Sequence, residues 1–215
     1  MNVERGARGR FWTLEGVEGA GKTTQAEILL AWLRSSGRDV VAVREPGGTD
    51  LGERLRAIVL SQESEPIDPR SELFLYLAAR AQLVSRVIRP ALDRGAIVLA
   101  DRFGDATVAY QGGGRRLGIA ATRSFVHWTT GGLKPERTWL IDLAPEDGAL
   151  RVRSRGGAPD RLESEAIEFH RRVRRAYLTI AGREPERVHV LDGTLPVDAL
   201  AEAIRADATA LLSSS

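Results

Sequence analysis

Residues 16–23 read Gly16-Val17-Glu18-Gly19-Ala20-Gly21-Lys22-Thr23. Before them stands a short apolar run, Phe11-Trp12-Thr13-Leu14-Glu15, and after them a stretch from Thr24 to Leu33 with the composition of a helix. A strand that turns on glycines directly into a helix is a narrow structural requirement. The glycines let the backbone bend so that successive N–H groups point into one concavity. The positive end of the helix dipole adds to that field, and the result is an anion cradle. Gly16, Gly21, Lys22 and Thr23 match G-x-x-x-x-G-K-[ST] at every fixed position. In that pattern the lysine reaches the β- and γ-phosphates of a nucleoside triphosphate and the following hydroxyl ligates Mg²⁺. A chance glycine turn would not carry the correct element on both sides, so the chain is expected to bind a nucleoside triphosphate.

Four further apolar runs have the length and continuity of strands buried on both faces: 39–43, 96–100, 137–142 and 187–191. Helical stretches at 22–36, 50–61, 69–93, 118–130, 162–181 and 197–212 alternate with them. This alternation predicts an α/β fold with a parallel sheet and right-handed crossovers. The stretch Ser71–Arg80 is apolar on all sides until Arg80, which predicts burial in the core or against a partner, and Pro90 interrupts the end of its helix. Glycines at 47–48, 112–114, 131–132 and 156–157 mark loops.

With 215 residues, one domain is the expectation, 11–215, preceded by a flexible basic terminus at 1–10 that has no apolar signal region. The net charge of +2 carries no overall nucleic-acid signature, and the absence of cysteine excludes disulfides, thiolate metal sites and a cysteine nucleophile. No apolar run approaches the length of a membrane span, so a cytoplasmic protein is expected.

Ligand sites in such sheets lie beyond the carboxyl ends of the strands. Three runs end in acid: Glu15, Asp101 and Asp142. Asp101 is a candidate for orienting Mg²⁺ or its waters, and the adjacent Arg102 can hold a phosphate in a bidentate fork. Asp142 reads as a cap for the next turn. Arg44-Glu45-Pro46-Gly47-Gly48-Thr49 follows the second strand and borders the same edge, although its composition alone is that of a turn. Gln111, in Ala109-Tyr110-Gln111-Gly112-Gly113-Gly114, has both donors and acceptors and can read a nucleobase edge. The segment 151–161 places arginines at 151, 153 and 155 ahead of Gly156-Gly157, the pattern of a mobile basic flap. Phosphoryl transfer calls for such a flap, because charge must meet the transferring group and water must be excluded.

In order and spacing, these segments together with Leu73–Gln82 and Asp160-Arg161-Leu162-Glu163 resemble the bacterial thymidylate kinases, from residue 11 to about 205. The resemblance implies a P-loop kinase fold with a five-stranded parallel sheet, helices on both faces and a mobile lid at about 146–160. It implies transfer of phosphate from ATP to dTMP with Mg²⁺ in a homodimer, with the 69–93 helix at the contact. It implies that Gly16, Val17, Glu18, Gly19, Ala20, Gly21, Lys22, Thr23 and Thr24 bind ATP with Arg151, Arg153 and Arg155. Phe74 would stack on thymine and Arg80 would donate to its O4. Thr107 and Gln111 would meet the N3 edge, Glu18 the sugar 3′-hydroxyl, and Arg102 and Arg56 the acceptor phosphate. Tyr110 would form a wall beneath the sugar, and Glu45 belongs to the same substrate site. Thr23 and Asp101 would hold the metal. Lys22, Arg102 and Arg153 carry the expected catalytic roles. The phosphate loop has no arginine, and the lid has three, which suits relatives that supply the catalytic arginine from the lid. Ala106 stands where many relatives carry serine.

The residues also fit two other readings. One is a kinase for another pyrimidine monophosphate such as dUMP, since one methyl group in an apolar pocket is worth only about 1–3 kcal/mol. The other is a slow nucleotide switch, which would need no acceptor pocket.

Overall fold

The computed structural model describes residues 9–62, 65–154, 156 and 159–213. Among them, five strands form one sheet: β1 (Arg10–Glu15), β2 (Val40–Arg44), β3 (Ile97–Asp101), β4 (Arg137–Asp142) and β5 (Val188–Asp192). Their order is β2-β3-β1-β4-β5, and every pairing is parallel. The observed strands agree with the apolar runs to within a residue at each end. The chain leaves β1 for β2 and β3 on one side and then crosses to β4 and β5 on the other. The reversal therefore falls beside β1, and the loop after β1 opens into the crevice this creates.

The helices are α1 (Lys22–Ser35), α2 (Asp50–Leu60), α3 (Pro69–Leu83), α4 (Arg89–Asp93), α5 (Gly104–Thr107), α6 (Ile119–Thr130), α7 (Pro145–Ser154), α8 (Ile167–Arg183) and α9 (Val197–Ser213). Their ends have local causes. Thr49 caps α2 by accepting from Gly52 N, and Asp68 caps α3 by accepting from Arg70 N and Ser71 N with Pro69 at its first position. Gly131, at φ 58°, ends α6 in the left-handed conformation.

Alternation along the strands divides the core. Trp12, Leu14, Ile97 and Leu99 share one buried cluster with Leu29 and Leu33 of α1 and Leu200 and Ile204 of α9. Phe11, Val98 and Ala100 share a second with Leu83, Val84, Ile88 and Ala91. The fully buried rings of Trp12 and Trp139 meet edge to face at 5.7 Å, a contact worth about 0.5–1.5 kcal/mol beyond the area it buries.

Four local expectations change. The 69–93 helix is divided by a π-helical turn, Val84–Ile88. That turn precedes Pro90, whose ring would meet the carbonyl four residues back in a regular helix. The 112–114 glycines do not form a loop but complete a π-helical segment, Val108–Gly114. A Cβ on Gly113 would lie 2.5 Å from the Ala176 side chain, so this glycine lets the segment pack against α8. The 162–181 helix begins only at Ile167; ahead of it, Asp160 accepts from the backbone N–H groups of Leu162 and Glu163. Asp142 does not cap a turn with its side chain; both its carboxylate oxygens accept from Arg174 on α8, at 2.7 and 2.8 Å.

Candidate functional site

The carboxyl ends of β1, β2 and β3 open into a cleft of about 820 Å³. One end is lined by residues 18–24, while Gly16 and Val17 stand outside the lining; the loop turns through positive φ at Gly16, Gly19 and Gly21 before entering α1. The Lys22 ammonium is buried and donates to Val17 O at 2.8 Å. Burial first, and then the nearby Arg102 charge, lower its pKa to about 8 against the opposing pull of Glu18, Asp101 and Glu15. The Thr23 hydroxyl donates to Asp101 Oδ2 at 2.7 Å. The loop and the last residue of β3 thus meet at the point the sequence assigns to a metal. Thr24 also lines the cleft.

Arg102 follows β3 with φ 73°, an uncommon conformation for a residue with a side chain. A network holds it there. Its guanidinium donates to Glu18 Oε1 at 2.6 Å, to the Tyr110 hydroxyl at 3.0 Å, to the Tyr177 hydroxyl at 3.2 Å and to Gly16 O at 3.1 Å. Burial favours a neutral Glu18, but Arg102, Lys22 and the Tyr110 hydroxyl outweigh it and lower its pKa to about 2. Behind this network, fully buried Glu15 accepts from Phe103 N and from the Tyr177 hydroxyl, each at 2.7 Å. Burial, together with the charge of Asp105, raises the Glu15 pKa to about 7.

The far end of the cleft is built on α3 and the segment after β3. Arg80 is 1% exposed. It donates through Nε to Glu45 Oε2 at 2.7 Å, through Nη1 to the Thr107 hydroxyl at 2.8 Å and through Nη2 to Phe103 O at 3.0 Å. A guanidinium has five N–H groups, so donor capacity remains on Nη1. Glu45 is also buried, and its Oε1 has no hydrogen-bond partner among the described residues. Burial raises its pKa, with Arg80 opposing. Tyr76, Thr107, Tyr110 and Gln111 complete the wall, and Arg56, which donates to Pro46 O at 3.0 Å, lies at the rim.

Phe74 is not in this wall. It is 55% exposed on the outer surface and meets Phe125 of α6 edge to face at 5.7 Å. The aromatic that α3 presents to the cleft is Tyr76. Helical spacing carries the signal: residues four apart share a face, so Tyr76 belongs with Arg80, whereas a separation of six turns Phe74 well away from it.

The expected lid also differs in form. Residues 145–154 are the helix α7, not an irregular flap. Arg151 lines the main cleft and donates to Gly193 O at 3.0 Å. Arg153 does not reach that cleft; it lines a separate crevice of about 320 Å³ with Val17 and His170. Arg155 and Gly157 lie outside the described residues. The start of α7 touches the phosphate loop backbone to backbone, since a Cβ on Gly19 would lie 2.3 Å from Gly148 O, and one on Gly148 would lie 2.3 Å from Glu18 O.

The sequence model of the family described as Thymidylate kinase matches residues 14–204. A thymidylate kinase of Deinococcus radiodurans is 52% identical over 194 residues, covering 90% of this chain and 93% of that protein. One of Clavibacter michiganensis is 48% identical over 204 residues, covering 95% of this chain and 96% of its own. Among solved structures, the thymidylate kinase of Ehrlichia chaffeensis superimposes with a TM-score of 0.71 at 32% identity, over 86% of this chain and 93% of that one. A family match across the sheet and both ends of the cleft, with relatives of this identity and coverage, establishes that the chain belongs to the thymidylate kinase family.

Proposed function

We propose that the cleft transfers the γ-phosphoryl group of ATP to dTMP, forming dTDP and ADP. The observation that carries this reading is the continuity of the cleft, in which the phosphate loop at one end shares a single cavity with the Tyr76, Arg80, Thr107 and Gln111 wall at the other. A nucleotide switch needs only the first of these. In the transfer, an oxygen of the dTMP phosphate attacks the γ-phosphorus, and the bond to the β,γ-bridging oxygen breaks to release ADP. Positioning and charge do most of the work. Lys22 and the loop N–H groups hold the donor phosphates, and Arg102 and Arg56 face the acceptor phosphate. Of the described lid arginines, Arg151 lines this cleft and is the one positioned to meet the transferred group, whereas Arg153 lines a separate crevice. Glu18 and Tyr110, fixed by Arg102, flank the acceptor sugar.

Thr23 and Asp101 offer one hydroxyl and one carboxylate, a donor set that fits Mg²⁺ with its waters and phosphate oxygens as the other ligands. When bound there, the ion neutralises charge on the β- and γ-phosphates. No helix of the described residues is long and apolar enough to cross a membrane, and we read the cytoplasm as the site of action. The exposed aromatic face of Phe74, Phe125 and Trp128 supports a homodimer joined through α3 and α6.

The test is ADP formation from ATP and Mg²⁺ with dTMP, dUMP, dCMP, dGMP and UMP compared side by side. dTMP should be used best and dCMP poorly. Lys22→Ala should lower kcat by about 10²-fold, the effect of losing one preorganised electrostatic donor. Turnover that no monophosphate stimulates would refute a kinase and favour a switch.

A further inference from the structure

Glu72 lies on the same face of α3 as Tyr76 and Arg80, at successive intervals of four residues, but none of it is exposed and it does not line the cleft. Its carboxylate is instead enclosed by three groups from other parts of the chain. Gln111 donates through Nε2 to Oε1 at 2.8 Å. Arg115 donates through Nε to Oε1 at 3.2 Å and through Nη2 to Oε2 at 3.0 Å. Arg161, just after the lid segment, brings Nη2 within 2.7 Å of Oε2. Glu165 pairs with the same Arg115 at 2.5 Å, and Tyr76 is a further titratable neighbour, its pKa raised by burial together with the Glu72 charge. Burying a carboxylate against two partly exposed arginines is costly unless it is well satisfied; Arg115 and Gln111 supply the hydrogen bonds, and Arg161 adds charge without one.

The consequence falls on Gln111. A glutamine amide has two orientations of nearly equal shape, one presenting oxygen and the other NH₂ to a given side. An ionised carboxylate can only accept hydrogen bonds. Burial opposes ionisation of Glu72, but the hydrogen bonds of Arg115 and Gln111 and the charges of both arginines hold its pKa below the ordinary carboxylate value. The amide must therefore turn NH₂ toward Glu72. Its oxygen is left for the cleft, where Gln111 forms part of the wall and is itself 1% exposed. In the opposite orientation, two acceptors would face each other in a buried site.

We propose that Glu72 is a specificity-determining positioning residue: by locking the Gln111 amide with its oxygen toward the cleft, it admits a pyrimidine with a ring N–H at that edge and rejects one with a lone pair there. Thymine and uracil are of the first kind and cytosine is of the second. The inference rests on the reading above that Gln111 meets the N3 edge of the acceptor base. Glu72 touches no substrate and acts only through Gln111.

The test compares kcat/KM for dTMP and dCMP in the unmodified enzyme, Glu72→Gln, Gln111→Leu and the double variant. A neutral amide at 72 can satisfy either orientation of Gln111. Glu72→Gln should therefore lower the dTMP:dCMP ratio by about tenfold, the worth of one buried hydrogen bond. The change should appear chiefly as a raised KM for dTMP, with the KM for ATP unmoved. Gln111→Leu should lower the ratio similarly, and adding Glu72→Gln to it should change the ratio no further. If Gln111→Leu lowers the ratio and Glu72→Gln leaves it intact, the role of Glu72 is overturned and the base contact stands. If Gln111→Leu also leaves the ratio intact, the base-contact reading itself falls. Should Glu72→Gln not fold, the side-chain amide of Gln111 is read by ¹⁵N NMR in the unmodified protein. Slow hydrogen exchange and a downfield shift are expected, and exchange at the rate of an exposed glutamine would overturn the proposal.

Discussion

Tyr76 and Phe74 are two residues apart on α3 and face opposite surroundings. Tyr76 is 8% exposed in the cleft wall, and Phe74 stands on the outer surface against Phe125. An aromatic ring in the wall of a base pocket supplies area and orientation. Tyr76→Leu is expected to raise the KM for dTMP by about tenfold, taking base stacking as worth roughly 1–3 kcal/mol, while Phe74→Leu leaves that KM within about twofold. Steady-state kinetics at saturating ATP decides between them, and the reverse pattern would restore Phe74 to the pocket. Residue-scale roles were the hardest to read from the chain. Lys22 and Thr23 were legible because the motif fixes their position relative to a backbone turn. Glu72 and Tyr177 carry no motif and Glu15 shows only as an acid at a strand end; their importance lies in partners 39 and 162 residues away along the chain.

At the scale of elements, the contact between the phosphate loop and α7 depends on paired glycines. Gly148 lies within the first turns of α7, where alanine would normally favour a helix by roughly 1 kcal/mol. Here the added methyl would sit 2.3 Å from Glu18 O, so α7 must shift or the loop must deform. Gly148→Ala is expected to raise the KM for ATP and lower kcat by about tenfold or more, as a misplaced lid and cradle lose positioning. The fold should be retained, as circular dichroism would check. Unchanged ATP kinetics would show that the two elements need not touch. The helices and strands themselves were legible because hydrophobic periodicity is local. The π-helical turns and the late start of α8 were not, since they answer to Pro90, to the packing of Gly113 on Ala176 and to the Asp160 cap.

At the scale of the molecule, the sheet order puts the carboxyl ends of β1, β2 and β3 at one edge, and the cleft there needs no loop longer than those observed. The opposite consideration is the surface. Trp128 is 80% exposed, with Phe125 and Phe74 close by at 43% and 55%. A group of exposed aromatics of this kind marks an association surface. On the proposed α3/α6 homodimer, the unmodified protein should sediment as a dimer at micromolar concentration and Trp128→Glu as a monomer. A monomeric unmodified protein, or a dimer insensitive to the substitution, would refute the α3/α6 contact.

The sequence by itself determined what depends on neighbours along the chain: the phosphate cradle, the five strands, the alternation that makes a parallel sheet, and the set of segments shared with the family. Only the tertiary structure decided which side chains share the cleft. It turned Tyr76 inward and Phe74 outward, placed Arg151 at the main cavity and Arg153 in a side crevice, and closed the rings of charge around Arg102 and Glu72. The reason is physical. Backbone conformation follows mainly from local sterics and hydrogen bonding, whereas a buried charge is tolerable only beside its partner, and that partner is fixed by the packing of distant elements.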